Sequence, residues 1–147
     1  VEDTDDEALP AAATRVADVE AGTAKAFLKT LNRSSSLLLH LAEGVDDAAR
    51  EHFTSLRIGT DEWAITPSLC GIHCAGLHGR DYQIFRARGG SMVWSPSGSK
   101  NLLAEMKVAW LVSEARGGVF TPRELVAMAT VNPARMLKWD AAVGSLA

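Results

Sequence analysis

The sequence predicts a parallel α/β fold, and three features of its 147 residues indicate it. The run "SLLLHLAEG" (36–44) has continuous apolar residues on either side of its histidine, as expected for a strand covered on both faces by helices. Strand-like and helix-like segments alternate, and the spacing of His40, His73 and Trp94 suits successive strand–helix units. After Pro96 the strand patterns stop and helical patterns take over. We therefore expect a parallel sheet followed by terminal helices.

Each segment carries its own signal. Residues 1–35 are predicted to be an acidic N-terminal segment followed by one helix. Gly22 weakens the helical pattern. Residues 36–147 would hold the strand–helix units. We expect strands at 36–44, 68–77 and 91–96, helices at 14–35, 45–59, 78–90, 97–118, 121–132 and 133–140, and the start of a further strand at 141–147.

Two helices of the second half have specific boundary signals. The helix at 97–118 is expected to begin at an N-cap serine, Ser97 or Ser99, and to end at a glycine pair. The next has Thr121 as N-cap, with a proline and then Glu124, which is the pattern of a capping box. The broad apolar face predicted for the first of these helices consists of Leu102, Leu103, Met106, Ala109, Trp110 and Val112 or Ser113.

Composition limits the classes of partner. The formal net charge is −3, and there is no long basic run, so nothing favours nucleic acid or an anionic membrane. No stretch reaches the roughly 18 apolar residues that cross a bilayer, and the acidic opening is unlike a signal peptide. Two cysteines make no disulfide framework. We expect a cytoplasmic protein with a small-molecule ligand, and a homo-oligomer is compatible with this.

Titratable side chains stand where two predicted strands end. His40 and His73 fall at the carboxyl ends of their strands, and Glu43 lies in the loop after the first of them. Ligands of parallel α/β sheets bind at this edge. Two imidazoles can bind a metal ion, and a nearby carboxylate can carry protons for a metal-bound water. A structural hydrogen-bonded pair is the competing interpretation, and the residues alone leave both open.

Other candidate sites have weaker signals. "CGIHC" resembles a zinc knuckle, but strand alternation puts Cys70 and Cys74 on one face and His73 on the other, so we expect core cysteines. His52 is expected in solvent on a helix, and His78 in an exposed loop.

The stretch "SPSGSKN" (95–101) suits a small anion, with Lys100 as the charged group, although it lacks the GxxxxGK[ST] spacing of a phosphate loop. Neither GxSxG nor GxGxxG occurs. Nothing therefore favours a serine hydrolase or a dinucleotide-binding protein.

Several motifs occur together in a recognisable order. They are "LLLHLAEGVDDAAREHF", "GIHCAGL", "SMVWSP", "SGSKNLLAEMKVAW" and "TPRELVAMATVNPARMLKWDAAVGSLA". This series resembles the C-terminal half of metal-dependent amidohydrolases, in the branch that contains cytosine deaminase, guanine deaminase and the triazine hydrolases. The resemblance covers most of residues 36–147.

The resemblance implies a partial (β/α)8 TIM barrel and a zinc or iron ion. The activity would be deaminase-like hydrolysis of carbon–nitrogen bonds, other than peptide bonds, in small and often cyclic substrates. By that resemblance His40 is a metal ligand, Glu43 a proton shuttle, and His73 lies at the metal or at the reacting edge of the substrate. The TxNPAxxL helix, 130–137, is where such barrels end.

Two motifs of the family are missing. No HxH occurs, and Val93 stands where the aspartate of the eighth strand would precede "WSP", as if a segment between two WSP motifs had been lost. Two imidazoles would hold a metal loosely, and three parallel strands cannot close a barrel. We therefore expect a fragment, a gapped sequence or a degenerate remnant, inactive alone. The alternative function is a non-catalytic barrel remnant that associates through exposed sheet edges.

Overall fold

The strands form one parallel sheet. A computed structural model describes residues 16–18, 23–94 and 100–145, with only the backbone described at 16–18. The strands are β1 (Val16–Asp18), β2 (Leu37–Leu41), β3 (Leu69–His73) and β4 (Ser91–Val93), and they lie side by side in chain order, each parallel to the next. The helices are α1 (Ala24–Leu31), α2 (Asp47–Thr54), α3 (Gly79–Ala87), α4 (Leu102–Ala115), α5 (Pro122–Ala129) and α6 (Val131–Leu137). The predicted parallel α/β fold with terminal helices is confirmed at this level.

The prediction of one helix over 14–35 is wrong in its first part. Val16–Asp18 is a strand, in register with Leu38, Leu39 and His40 of β2. The helix begins only at Ala24, where the Thr23 side chain accepts a hydrogen bond from the amide of Ala26. Three residues are too few to show a period of two, so pairing with β2 decides their conformation.

Helices cover the two faces of the sheet unequally. On one face Leu37, Leu39 and Leu41 are completely or almost completely buried, in a cluster with Phe53 of α2 and Phe85 of α3. Burial of each such side chain contributes about 1.5–3 kcal/mol. The other face is covered less, and Leu38 and His40 on that face are therefore only half-buried. The residues that pack together on that side are Leu38, Cys70, Ile72, Val93 and Met136 of α6.

The α5–α6 corner closes the free edge of β4. The amide of Trp94 donates to the carbonyl of Met128 at 3.1 Å, and Nδ2 of Asn132 donates to the carbonyl of Met92 at 3.2 Å. Backbone groups at a sheet edge need such partners, or they pair with another chain. This edge therefore has partners within the chain.

The helix starts agree in part with the sequence signals. Asn101 is the N-cap of α4, since its side chain accepts from the amides of Leu103 and Ala104. The serine cap is thus wrong, and Ser97 and Ser99 lie outside the described residues. The capping box of α5 is confirmed.

The apolar face predicted for α4 is also wrong in part. Ala109 and Ser113 are buried, whereas Leu103 and Trp110 are exposed. No strand occurs over 141–145, the part of the predicted last strand that is described. Within the described ranges, no helix is long and apolar enough to cross a membrane.

Candidate functional site

The two strand-end histidines lie together. The ring centroids of His40 and His73 are 5.6 Å apart, with the planes tilted by 39°. This contact is not what flat strands would give, because His40 pairs with Ile72 and Leu41 pairs with His73 across β2 and β3. Neighbours in register share a face, so the two rings would point to opposite faces. The backbone of His73 is left-handed, with φ of 65°, and this breaks the alternation.

The turn at His73 is strained and held from several sides. His73 and the next residue, Cys74, both have positive φ, which costs about 1–3 kcal/mol for each residue that is not glycine. The carbonyl of Cys74 accepts a 2.7 Å hydrogen bond from the hydroxyl of Tyr82. Gly71 makes room for the turn, since a Cβ there would lie 2.5 Å from Sγ of Cys74. Backbone strain of this kind concentrates at functional sites.

Glu43 reaches the histidine pair from the loop after β2. Its Oε1 lies 3.7 Å from Nε2 of His73, and its side chain is 61% exposed while that of His73 is 10% exposed. The loops that carry them are joined by a hydrogen bond from the amide of Gly76 to the carbonyl of Ala42. All three residues singled out in the sequence therefore meet at the carboxyl edge of the sheet.

Burial governs the charge of His73. It lowers the pKa of the imidazole, Glu43 opposes this by raising it, His40 lowers it and Glu105 raises it. The net result is a pKa below the ordinary value of 6.5. His73 is therefore a neutral ring at neutral pH, with one nitrogen that donates and one that accepts.

Sequence reasoning missed a second carboxylate near His73. Glu105 lies on α4, and its Oε2 accepts a hydrogen bond from the indole Nε1 of Trp94 at 3.3 Å. Trp94 directly follows β4, so it stands at the same edge of the sheet as His40 and His73. The available signal was a tryptophan at a third strand end, whose indole N–H needs an acceptor when it is partly buried.

The cysteines are core residues, as predicted, although not for the predicted reason. Cys70 packs with the cluster around Met136, whereas Cys74 packs with the main core on the other side. The positive φ of His73 and Cys74 separates them, so the shared face that strand alternation predicts is wrong. Burial raises the pKa of Cys70 to about 12 and that of Cys74 further, which opposes the thiolate that a metal needs.

The remaining candidates lie away from the pair. His52 is exposed on α2, as expected, and His78 is the exposed N-cap of α3. Asp81 of α3 binds Arg50 of α2 through two hydrogen bonds of 2.6 and 2.9 Å, so its carboxylate holds the two helices together. Lys100 is exposed just before α4, and most of the predicted anion loop lies outside the described residues.

A complete metal site is not present among the described residues. Residues 23–94 and 100–145 contain no group of three or more His, Cys, Asp or Glu side chains that could hold a metal ion. Comparison with protein-family models and with curated proteins finds no match. The site is therefore described by its own geometry, as two imidazoles and two carboxylates around the ends of β2, β3 and β4.

Proposed function

We propose that this chain is the C-terminal part of a metal-dependent hydrolase of the amidohydrolase type, which cleaves carbon–nitrogen bonds, other than peptide bonds, of small cyclic molecules. The observation that carries the proposal is the 5.6 Å approach of the His40 and His73 rings, with the Glu43 carboxylate 3.7 Å from His73. The order of motifs supports it. On this proposal the parallel strands are part of a (β/α)8 barrel and belong to a cytoplasmic enzyme.

The metal, zinc or iron, needs ligands beyond those described. A catalytic zinc site uses three protein ligands and an open position. His40 and His73 offer two imidazoles, and the described residues complete no group of three. They do not fit the metal by themselves, so the remaining ligands would come from other parts of the protein. The steps below involve only side chains of this chain.

Glu43 is the proton carrier in this proposal. Hydrolysis of a carbon–nitrogen bond removes a proton from the attacking water and delivers one to the leaving nitrogen. A carboxylate that is 61% exposed, on a loop at the strand end, can serve both positions. His73 stays neutral because burial lowers its pKa, and it can therefore hydrogen-bond to a polar atom of the substrate without repelling a cationic nitrogen.

The coding sequence around this chain provides the first test. We expect an HxH upstream, and a strand-like segment with an aspartate between Pro96 and Ser97. In the protein that contains these parts, Glu43→Gln should lower ammonia release from amino-substituted heterocycles by about 10²-fold or more while zinc or iron content is retained. His40→Ala should lower the metal content.

Glu51→Gln is the matched control for the glutamate. Glu51 is exposed on α2, so its neutralisation should leave turnover unchanged. Equal activity of Glu43→Gln and Glu51→Gln would refute the role of Glu43. A complete coding sequence without the HxH and the aspartate would refute the hydrolase proposal.

A second candidate is a non-catalytic barrel remnant, and the closed edge of β4 favours it. In a closed barrel another strand would pair with that edge, where Trp94 and Asn132 now make hydrogen bonds to Met128 and Met92. Such a remnant would associate through β1, the strand at the opposite edge of the sheet from β4. Light scattering should then show an oligomer, and the purified chain should lack metal. One tightly bound zinc per chain would refute this candidate.

A further inference from the structure

A small apolar cavity lies between α4, α5 and the loops that follow β2 and β3. Its volume is about 190 Å³. Its walls include Val45, Ala75, Trp94, Val108, Val112 and Phe120. An engineered apolar cavity of about 150 Å³ is known to stay dry and to bind benzene, so a space of this size can hold one aromatic ring.

Three residues of the cavity wall, Val45, Ala75 and Trp94, follow the ends of β2, β3 and β4. Val45 lies two residues after Glu43, and Ala75 lies two residues after His73. Trp94 lines the cavity and also donates its indole N–H to Glu105, one of the groups that act on His73. The imidazoles and carboxylates do not themselves line the cavity, but residues close to them in the chain do.

The polar groups in the cavity wall already have partners within the protein. The hydroxyl of Tyr82 donates to the carbonyl of Cys74, and Oγ of Ser113 accepts from the amide of Phe120 at 2.8 Å. Arg116 donates to the carbonyl of Leu77. The rest of the wall is apolar, so a polar ligand group would lose its hydration over most of the cavity, which therefore favours an apolar group.

A second cavity of the described chain adjoins the first, and Tyr82, Val119, Phe120 and Met128 line both. It measures about 280 Å³ and adjoins Gly90, Ser91 and Met92, at the beginning of β4. The ion pair of Arg86 and Glu124 lies in its wall. Because it is at the amino end of the strand, it does not adjoin the histidine pair.

We propose that the 190 Å³ cavity is a binding subsite for a single aromatic ring of the ligand. Trp94, Tyr82 and Phe120 give it aromatic walls, which favour edge-to-face and offset contacts with a ring. The polar end of the same ligand faces Glu43 and His73. That second statement rests on the proposed function, whereas the ring subsite is tested without any measurement of activity.

Binding of toluene to the full 147-residue chain tests the subsite. We expect saturable shifts of the methyl resonances of Val108 and Val112, which line this cavity and not the second one, and intermolecular NOEs from these methyls to the toluene ring. Shifts without such NOEs, or no shifts near the solubility limit of toluene, would overturn the proposal. This measurement needs no variant.

Val112→Phe gives a second test by filling the cavity. Val112 is half-buried in the cavity wall, so the larger ring should occupy the space and weaken toluene binding at least 10-fold. Val126→Phe is the matched control, because Val126 is exposed on α5 and does not line this cavity. Equal affinity of the two variants would overturn the proposal.

The two proposals fail separately. If toluene binds as expected but Glu43→Gln has no effect on turnover of the complete protein, the proposed function is wrong and the ring subsite stands. If Glu43→Gln abolishes turnover but toluene gives no NOEs to Val108 or Val112, the subsite is wrong and the proposed function stands.

Discussion

Replacement of Asp81 by Asn should destabilise the fold, because this carboxylate joins the two helices that follow the site loops. It accepts hydrogen bonds from Nε and Nη2 of Arg50 at 2.6 and 2.9 Å and from the amide of His78 at 3.0 Å. The Asp81 side chain is 4% exposed and that of Arg50 is 33% exposed. The guanidinium would remain partly buried without its counter-ion.

The expected loss follows from these contacts. A hydrogen bond to a charged group contributes about 1.5–3 kcal/mol. An asparagine at this position keeps one acceptor oxygen, so it can still accept some of the three hydrogen bonds from Arg50 and His78. Exposure of Arg50 screens the pair further. We expect the free energy of unfolding to fall by about 2 kcal/mol, measured by urea denaturation followed by circular dichroism.

The same pair predicts a pH dependence with a definite sign. Burial alone would raise the pKa of Asp81, but the hydrogen bonds from Arg50 and His78 and the charge of Arg50 outweigh it and hold the pKa below 3.8. The pair therefore stabilises the fold above the ordinary pKa and is lost as the pH falls through the lowered one. The difference between wild type and Asp81→Asn should be constant above pH 5 and shrink below pH 4.

Asp61→Asn is the control, since Asp61 is exposed. We expect it to change the free energy of unfolding by less than about 0.5 kcal/mol. A loss for Asp81→Asn no larger than that of the control would refute the reasoning, and so would a difference that persists unchanged at low pH.

Three further predictions concern other parts of the chain. Lys138→Gly should stabilise the fold by about 0.5–1 kcal/mol in urea denaturation, since Lys138 ends α6 with φ of 61°; a loss of stability would contradict this. By NMR, His73 should titrate below 6.5, and lower still in Glu43→Gln, because the carboxylate favours the charged ring. Its contribution to stability should then fall as the pH drops from 6.5 through the folded pKa. Phe53→Ala should cost about 3–5 kcal/mol in the same denaturation assay, because the ring is fully buried against Trp63, whereas Val126→Ala should cost little.

Much of the fold was predictable, because it depends on patterns that are local in the sequence. The apolar runs around Leu39 and Ile72 predict strands, and the Thr121 capping box predicts the start of α5. Val16–Asp18 was not predictable, since three residues carry no period and pairing with β2 decides their conformation. The exposure of Trp110 was not predictable either, because α4 is apolar on several sides.

The site was predictable in its members but not in its geometry. His40, Glu43 and His73 follow from strand ends, whereas the contact between the rings depends on a left-handed backbone at His73. Residues other than glycine rarely adopt that conformation, so no sequence pattern predicts it at a histidine. Glu105 was missed because it lies on a helix outside the strand–helix units, and its links to the site, the hydrogen bond from Trp94 and its charge near His73, depend on how that helix packs.

The distance between the two imidazoles tests the central claim most directly. In the NMR spectrum of the metal-free chain, NOEs should connect ring protons of His40 with ring protons of His73, as the 5.6 Å centroid separation requires. Ring protons of His73 that show NOEs to residues of its own strand, and none to His40, would contradict the convergence of the strand ends on which the proposed hydrolase depends.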